Sequence, residues 1–115
     1  MIETGYFAKI KDYPESDVLI CVARKYPWFV DHLSMVHLSA LAPSEALLKA
    51  WKLNKINWRQ YTDCYIGEMK NQLSENAIRS MRNDNSEVFR LMCWEKNPPC
   101  HRFILKELIL EAEES

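Results

Sequence analysis

The chain has almost no net charge: 15 Lys and Arg against 16 Asp and Glu leave −1 over 115 residues. Its overall field therefore draws it neither to nucleic acid nor to an acidic membrane surface, although a local basic patch at Lys9, Lys11, Arg24 and Lys25 stays open. No apolar run approaches the ~20 residues that a spanning helix needs, so no bilayer crossing is expected. Internal repeats, low-complexity tracts and linkers are also missing, and a length of 115 residues implies one domain over 1–115. No secretory leader is recognisable, and the four cysteines are too scattered for the disulfide framework of a small secreted chain. Cys21, Cys64, Cys93 and Cys100 are expected to be reduced, in a cytoplasmic protein. What is present, 48% hydrophobic and 27% charged residues, is an ordinary globular mixture that argues against disorder.

Patterning divides the chain into strand-like and helix-like segments. Tyr6 to Lys11 begins aromatic and then alternates apolar and charged positions, which predicts a strand with one exposed face. Val18 to Ala23 is a continuous β-branched and aliphatic run, as in a central strand covered on both faces. Arg24 and Lys25 follow, then a bulky loop from Tyr26 to Phe29 in which Pro27 turns Tyr26 away from helix. Met35 to Leu38 gives a weak signal for a short strand. Pro43, Ser44 and Glu45 start a helix to about Lys52, capped by Ser44 and burying Leu47, Leu48 and Trp51. Asn57 caps a longer helix whose Trp58, Tyr61, Tyr65 and Met69 share a face. A third, short helix starts at Ser74 and uses Ala77, Ile78 and Met81.

After a turn cluster at Asn83 to Ser86, Val88 to Trp94 reads as a mostly buried strand with Arg90 the exception. Pro98 and Pro99 block helix until Cys100. From there a final helix buries Ile104, Leu105, Leu108, Ile109 and Ala112, and its acidic end at Glu111, Glu113 and Glu114 is expected to fray. The fold class expected is α/β: a single compact three-layer domain with a small, mainly parallel sheet flanked by helices.

The densest chemistry lies at the last strand-to-helix junction, where Cys93, Trp94, Glu95, Cys100, His101 and Arg102 fall within one short segment. In an open α/β sheet ligands bind at such junctions, because a helix start offers unpaired N–H groups and the positive end of its dipole. Arg102 would supply a planar fork for phosphate or carboxylate oxygens, and Arg24, leaving a neighbouring strand, another. The same field favours the thiolate of Cys100, a candidate nucleophile with His101 or Glu95 as proton acceptor. The bland alternative makes Cys93 a buried small hydrophobe, pairs Glu95 with Arg102 as a loop clamp, and lets His101 cap the helix.

Two familiar chemistries are disfavoured. A phosphatase loop needs its arginine several residues beyond the cysteine, whereas Arg102 follows Cys100 by two. Zinc would draw on Cys93, Cys100 and His101, but adjacent residues rarely chelate one ion and the usual paired spacing is absent, so no metal and no cofactor is expected. Tyr6, Phe7, Tyr26, Trp28 and Trp94, near predicted strand ends, would wall a pocket for a base or another flat ring. Trp51, Trp58, Tyr61 and Tyr65 read as a core stripe. His32 and His37 take surface or loop roles, and Glu45, Asp63 and Glu68 solvated helix faces.

Three segments together resemble a known family, the domain of unknown function 488. They are Thr4-Gly5-Tyr6-Phe7-Ala8-Lys9; Leu41-Ala42-Pro43-Ser44 followed by Trp58, Tyr61 and Tyr65; and a Leu-x-Cys-x-Glu then Cys-His-Arg pattern filled by Leu91, Cys93, Glu95, Cys100, His101 and Arg102. The resemblance covers nearly the whole chain and places it with the shorter members. It implies a compact three-layer α/β domain with no established activity.

The function expected is binding of an anionic small molecule such as a nucleotide or phosphorylated metabolite; if the protein is an enzyme, hydrolysis or group transfer at that site is the expected class, and a non-enzymatic sequestering module is equally compatible. Its ligand contacts would be Arg24, Cys93, Trp94, Arg102 and Tyr6, and its catalytic groups Cys100, His101 and Glu95. A sequestering module needs the same donors without a positioned nucleophile. The alternative is a protein- or nucleic-acid-interaction domain in which the Cys-His-Arg cluster is structural; oligomeric state is left open.

Overall fold

A computed structural model of the protein describes residues 1–111. Its elements run β1 (Ile2–Tyr6), a 3-10 helix (Phe7–Asp12), β2 (Val18–Cys21), β3 (Val36–His37), a 3-10 turn (Ser39–Leu41), α1 (Glu45–Lys52), α2 (Trp58–Glu68), α3 (Gln72–Asn83), β4 (Phe89–Cys93) and α4 (His101–Glu111). The strands form one sheet in the order β1-β4-β2-β3. Every pairing is parallel, with Tyr6 opposite Cys93 and Cys21 opposite Met92. All four strands therefore end on one edge, where α/β sheets place their ligands. This is a single α/β domain.

Residues of α1 to α4, among them Tyr61, Tyr65, Ile78, Leu105 and Ile109, pack in one cluster with Ile20, Val22 and Leu91. A second cluster gathers Phe7, Cys21, Ala23, Met35, Met92, Cys93 and Cys100, joined by Ile10, Tyr13 and Tyr26. The second outer layer is thus built largely from the 3-10 helix and loops. Leu91, Met92 and Cys93 are consecutive and all buried, which is what a strand covered on both faces requires.

Several expectations shift. The strand expected over Tyr6 to Lys11 ends at Tyr6, and Phe7–Asp12 is a 3-10 helix instead. Its three-residue turn brings Phe7 and Ile10 onto one core-facing side while Lys9 and Lys11 stay exposed. The third helix begins earlier than Ser74 and is not short: Asn71 caps it by accepting from Ser74 N–H. Ser74 is buried and donates to the Ala40 carbonyl at 2.6 Å. Glu68 leaves the solvated set, since its carboxylate accepts from both Ser44 N–H and Ser44 Oγ. The caps at Ser44 and Asn57 form where expected, the latter as a capping box with Gln60. The fraying expected beyond Glu111 lies outside the described residues.

Gly5 is the one position where absence of a side chain is essential. A Cβ there would lie 2.7 Å from Met92 Sδ and 2.7 Å from Tyr13 Cζ. Tyr13 has little room to yield, because its hydroxyl accepts from Tyr6 N–H at 3.0 Å and its ring lies 4.3 Å from the Arg90 guanidinium. Gly5→Ala should therefore destabilise the fold by about 1–3 kcal/mol through overpacking. Urea unfolding with an unchanged m-value checks this.

Candidate functional site

β4 delivers Cys93 to the ligand-bearing edge, and the segment Trp94 to Pro99, which contains a cis Pro98-Pro99 bond, carries the chain to α4. Cys100 stands just before the first helical residue, His101. The turn brings the two thiols back together. Glu95 Oε2 lies 3.5 Å from Cys93 Sγ and 3.7 Å from Cys100 Sγ, within reach of a proton on either. His101 Nδ1 is 3.7 Å from Cys100 Sγ, and His101 Nε2 is 2.7 Å from the Val22 carbonyl. A carbonyl only accepts, so Nε2 carries a proton, and Nδ1 faces the sulfurs. Cys93, Cys100 and His101 each offer one donor atom, all within 4.8 Å of one another.

These contacts split the two thiols. The S–H of Cys93 donating to its sulfur holds Cys100 well below the usual thiol range; burial opposes this, and His101 and the Arg102 backbone N–H reinforce it. Cys93 goes the other way, because its proton is held by Cys100 and its surroundings are dry. Burial raises Tyr61, and the negative charges of Cys100, Cys93 and Glu95 add to the rise.

The cluster forms one side of a cavity of about 560 Å³. Arg24, Lys25 and Lys52, all exposed, bring positive charge to it; Trp51, Trp58, Tyr61 and Trp94 wall it, and Glu45 and Glu95 add carboxylates. Cys93, Trp94, Glu95, Cys100, His101 and Arg24 therefore share one hollow. Arg24 is steadied by Nη1 donating to the Pro43 carbonyl at 3.3 Å.

Arg102 and Tyr6 do not line it. Arg102, 2% exposed, turns inward: Nη2 donates to the Lys96 carbonyl at 3.2 Å and the guanidinium sits 4.5 Å over the Phe103 ring. Its Nε and Nη1 have no partner among the described residues. It clamps the Trp94 to Pro99 loop, through a backbone carbonyl and not through Glu95. His101 anchors to β2's continuation and does not cap α4. Tyr6, half-buried, is tied by its N–H to Tyr13, away from the cavity.

The aromatic wall comes mainly from residues that the sequence assigned to core. Trp51 ends α1 and Trp58 opens α2, so the short connection folds their rings to 5.3 Å, and Tyr61 stacks on Trp58 at 4.8 Å. Phe7 and Phe29 instead back Trp94 at 4.9 Å and 6.1 Å. The signal for Trp51 and Trp58 is that both sit at helix ends beside a polar, lysine-rich turn.

The fold and site define a parallel-sheet α/β domain with a paired-thiol, aromatic-walled cavity at the strand C-termini. A family model described as the active DUF488-N3 subclade matches residues 6–113, and the chain belongs to the DUF488 family. No curated protein and no solved structure gave a match.

Proposed function

We propose that the protein binds a flat, anionic small molecule, a nucleotide or phosphorylated metabolite, in this cavity and acts on it by hydrolysis or group transfer. The observation that carries the reading is that Cys100 lies at a helix start in a hollow of about 560 Å³ shared by cationic and aromatic side chains. Rings stack on Trp51, Trp58 or Trp94. Phosphate oxygens meet Arg24, Lys25 and Lys52. Cys100 is the nucleophile, with His101 and Glu95 as the groups that accept and return its proton. The matched subclade's description as active supports chemistry over scaffolding.

Native mass spectrometry of protein purified from its own cells tests the reading, since it requires no assumed substrate. A retained metabolite with a phosphate and an aromatic ring is the expected result; protein that retains none and binds no member of a nucleotide panel overturns it. Arg24→Ala should weaken binding of such a molecule about 10-fold or more, the value of one hydrogen bond to a charged group. Calorimetric titration reads that loss directly.

A further inference from the structure

Cys93, Cys100 and His101 gather two sulfurs and an imidazole nitrogen in one buried cluster, with the exposed Glu95 in reach of both sulfurs. The mutual distances have the pattern of a metal site. Around a tetrahedral zinc ion, standard bond lengths place sulfur about 3.5 Å from a nitrogen or oxygen ligand and about 3.8 Å from a second sulfur. The observed separations are 3.5 Å for Cys93 Sγ to Glu95 Oε2, 3.7 Å for Cys100 Sγ to Glu95 Oε2 and 3.7 Å for Cys100 Sγ to His101 Nδ1. The Cys100–His101 separation matches an edge of such a tetrahedron, and both sulfurs and the imidazole nitrogen lie within 4.8 Å of one another.

The geometry points to a zinc site at the side of the cavity, held by Cys93, Cys100 and His101 Nδ1, with the fourth position open toward the cavity beside Glu95. Thiolate ligands select zinc over magnesium or calcium. The second shell is also in place: the Nε2–H of His101 donates to the Val22 carbonyl at 2.7 Å, the contact that orients a metal-bound imidazole. Sequence adjacency of Cys100 and His101 is no obstacle, because Cys100 precedes α4 while His101 is its first residue, and their donor atoms already point together. Uptake releases to solvent any proton the two sulfurs carry, and both remain as thiolates bound to the ion.

This inference rests on the reading above for the location of the cluster. With the ion bound, Cys100 is held as a thiolate and proton exchange falls to Glu95, since both nitrogens of His101 are engaged.

The test uses the full chain, freed of metal by chelator and titrated with Zn2+ against a chromogenic competitor, then with Co2+ followed by absorbance. One equivalent of zinc and the charge-transfer bands of a cobalt thiolate are expected. Cys93→Ser and Cys100→Ser should each lower zinc affinity by more than about 100-fold, beyond what loss of an outer partner costs. Cys64→Ser, which alters an exposed thiol on α2, should change nothing. Cys100→Ser, a one-atom change just before α4, keeps the test decisive if Cys93→Ser fails to fold. A wild type that binds no stoichiometric zinc, or a folded Cys93→Ser or Cys100→Ser protein that binds as tightly as wild type, overturns the inference. Nucleotide captured by protein that takes up no metal overturns the zinc site and leaves the proposed function standing. Metal uptake without any captured ligand does the reverse.

Discussion

Cys100→Ser should lower turnover of a bound nucleotide by roughly 10³-fold or more while leaving its affinity within a few-fold of wild type. A loss of that size corresponds to about 4 kcal/mol of transition-state stabilisation. The reason lies in what the substitution changes. Serine nearly preserves the volume of the side chain, and Arg24, Lys52 and the tryptophan walls remain, so the ligand's contacts are kept. A hydroxyl, however, does not ionise where the thiol does, so no comparable nucleophile forms. Single-turnover measurement on a panel of nucleoside mono-, di- and triphosphates separates the two quantities. Intact ligand recovered from incubation with wild type would reduce the protein to a sequestering module, and equal turnover by wild type and Cys100→Ser would remove the cysteine from the mechanism.

The junction was visible in the sequence for a local reason. A buried strand, a Pro-Pro block and a helix start succeed one another over few residues, and each leaves its own mark, so Cys93, Glu95, Cys100 and His101 could be placed around one turn. The caps of α1 and α2 were equally local, since Ser44 and Asn57 accept from N–H groups three residues on. What escaped depends on which way side chains turn once the elements pack, which residue type and spacing do not record. Arg102 looks like a ligand fork, but nothing local says that it turns into the core and holds the Lys96 carbonyl. Trp51 and Trp58 look like core because helical spacing does not show that the α1–α2 turn sets them beside a cavity. The first strand was displaced because a 3-10 turn and an exposed strand both alternate over so short a stretch, and only the pairing of Ile2 to Tyr6 with Phe89 to Cys93 decides between them.

The inward turn of Arg102 separates two jobs that the Cys-His-Arg pattern seemed to combine. Cys100 and His101 face the cavity, while Arg102 fixes the loop that brings Glu95 to them. A guanidinium with one hydrogen bond and two nitrogens that lack a hydrogen-bond partner among the described residues is a weak contributor to stability, since an apolar replacement of similar length avoids its desolvation cost. Its position two residues beyond the thiol therefore fits a positioning role: the Lys96 carbonyl is held, and with it the approach of Glu95 to both sulfurs.

A larger loss of stability is expected from the opposite end of β4. Arg90 is the charged exception in that strand, and its Nε donates to Asp17 at 2.8 Å while Nη1 donates to the Thr4 carbonyl at 2.7 Å. The two side chains are 16% and 4% exposed, so the pair is largely dry. Asp17→Ala leaves the guanidinium with one carbonyl and the Tyr13 ring and no counter-charge. Breaking such a pair from one side should cost about 3–5 kcal/mol, more than the pair itself contributes, because the remaining cation stays desolvated. The double substitution Asp17→Ala with Arg90→Met should recover much of the loss, since no unpaired charge remains. Chemical denaturation of the three variants measures the coupling. A double variant no more stable than Asp17→Ala would show that the stranded guanidinium is not the source of the cost, and that Arg90 fixes β4, and Cys93 at its end, by the Thr4 and Tyr13 contacts alone.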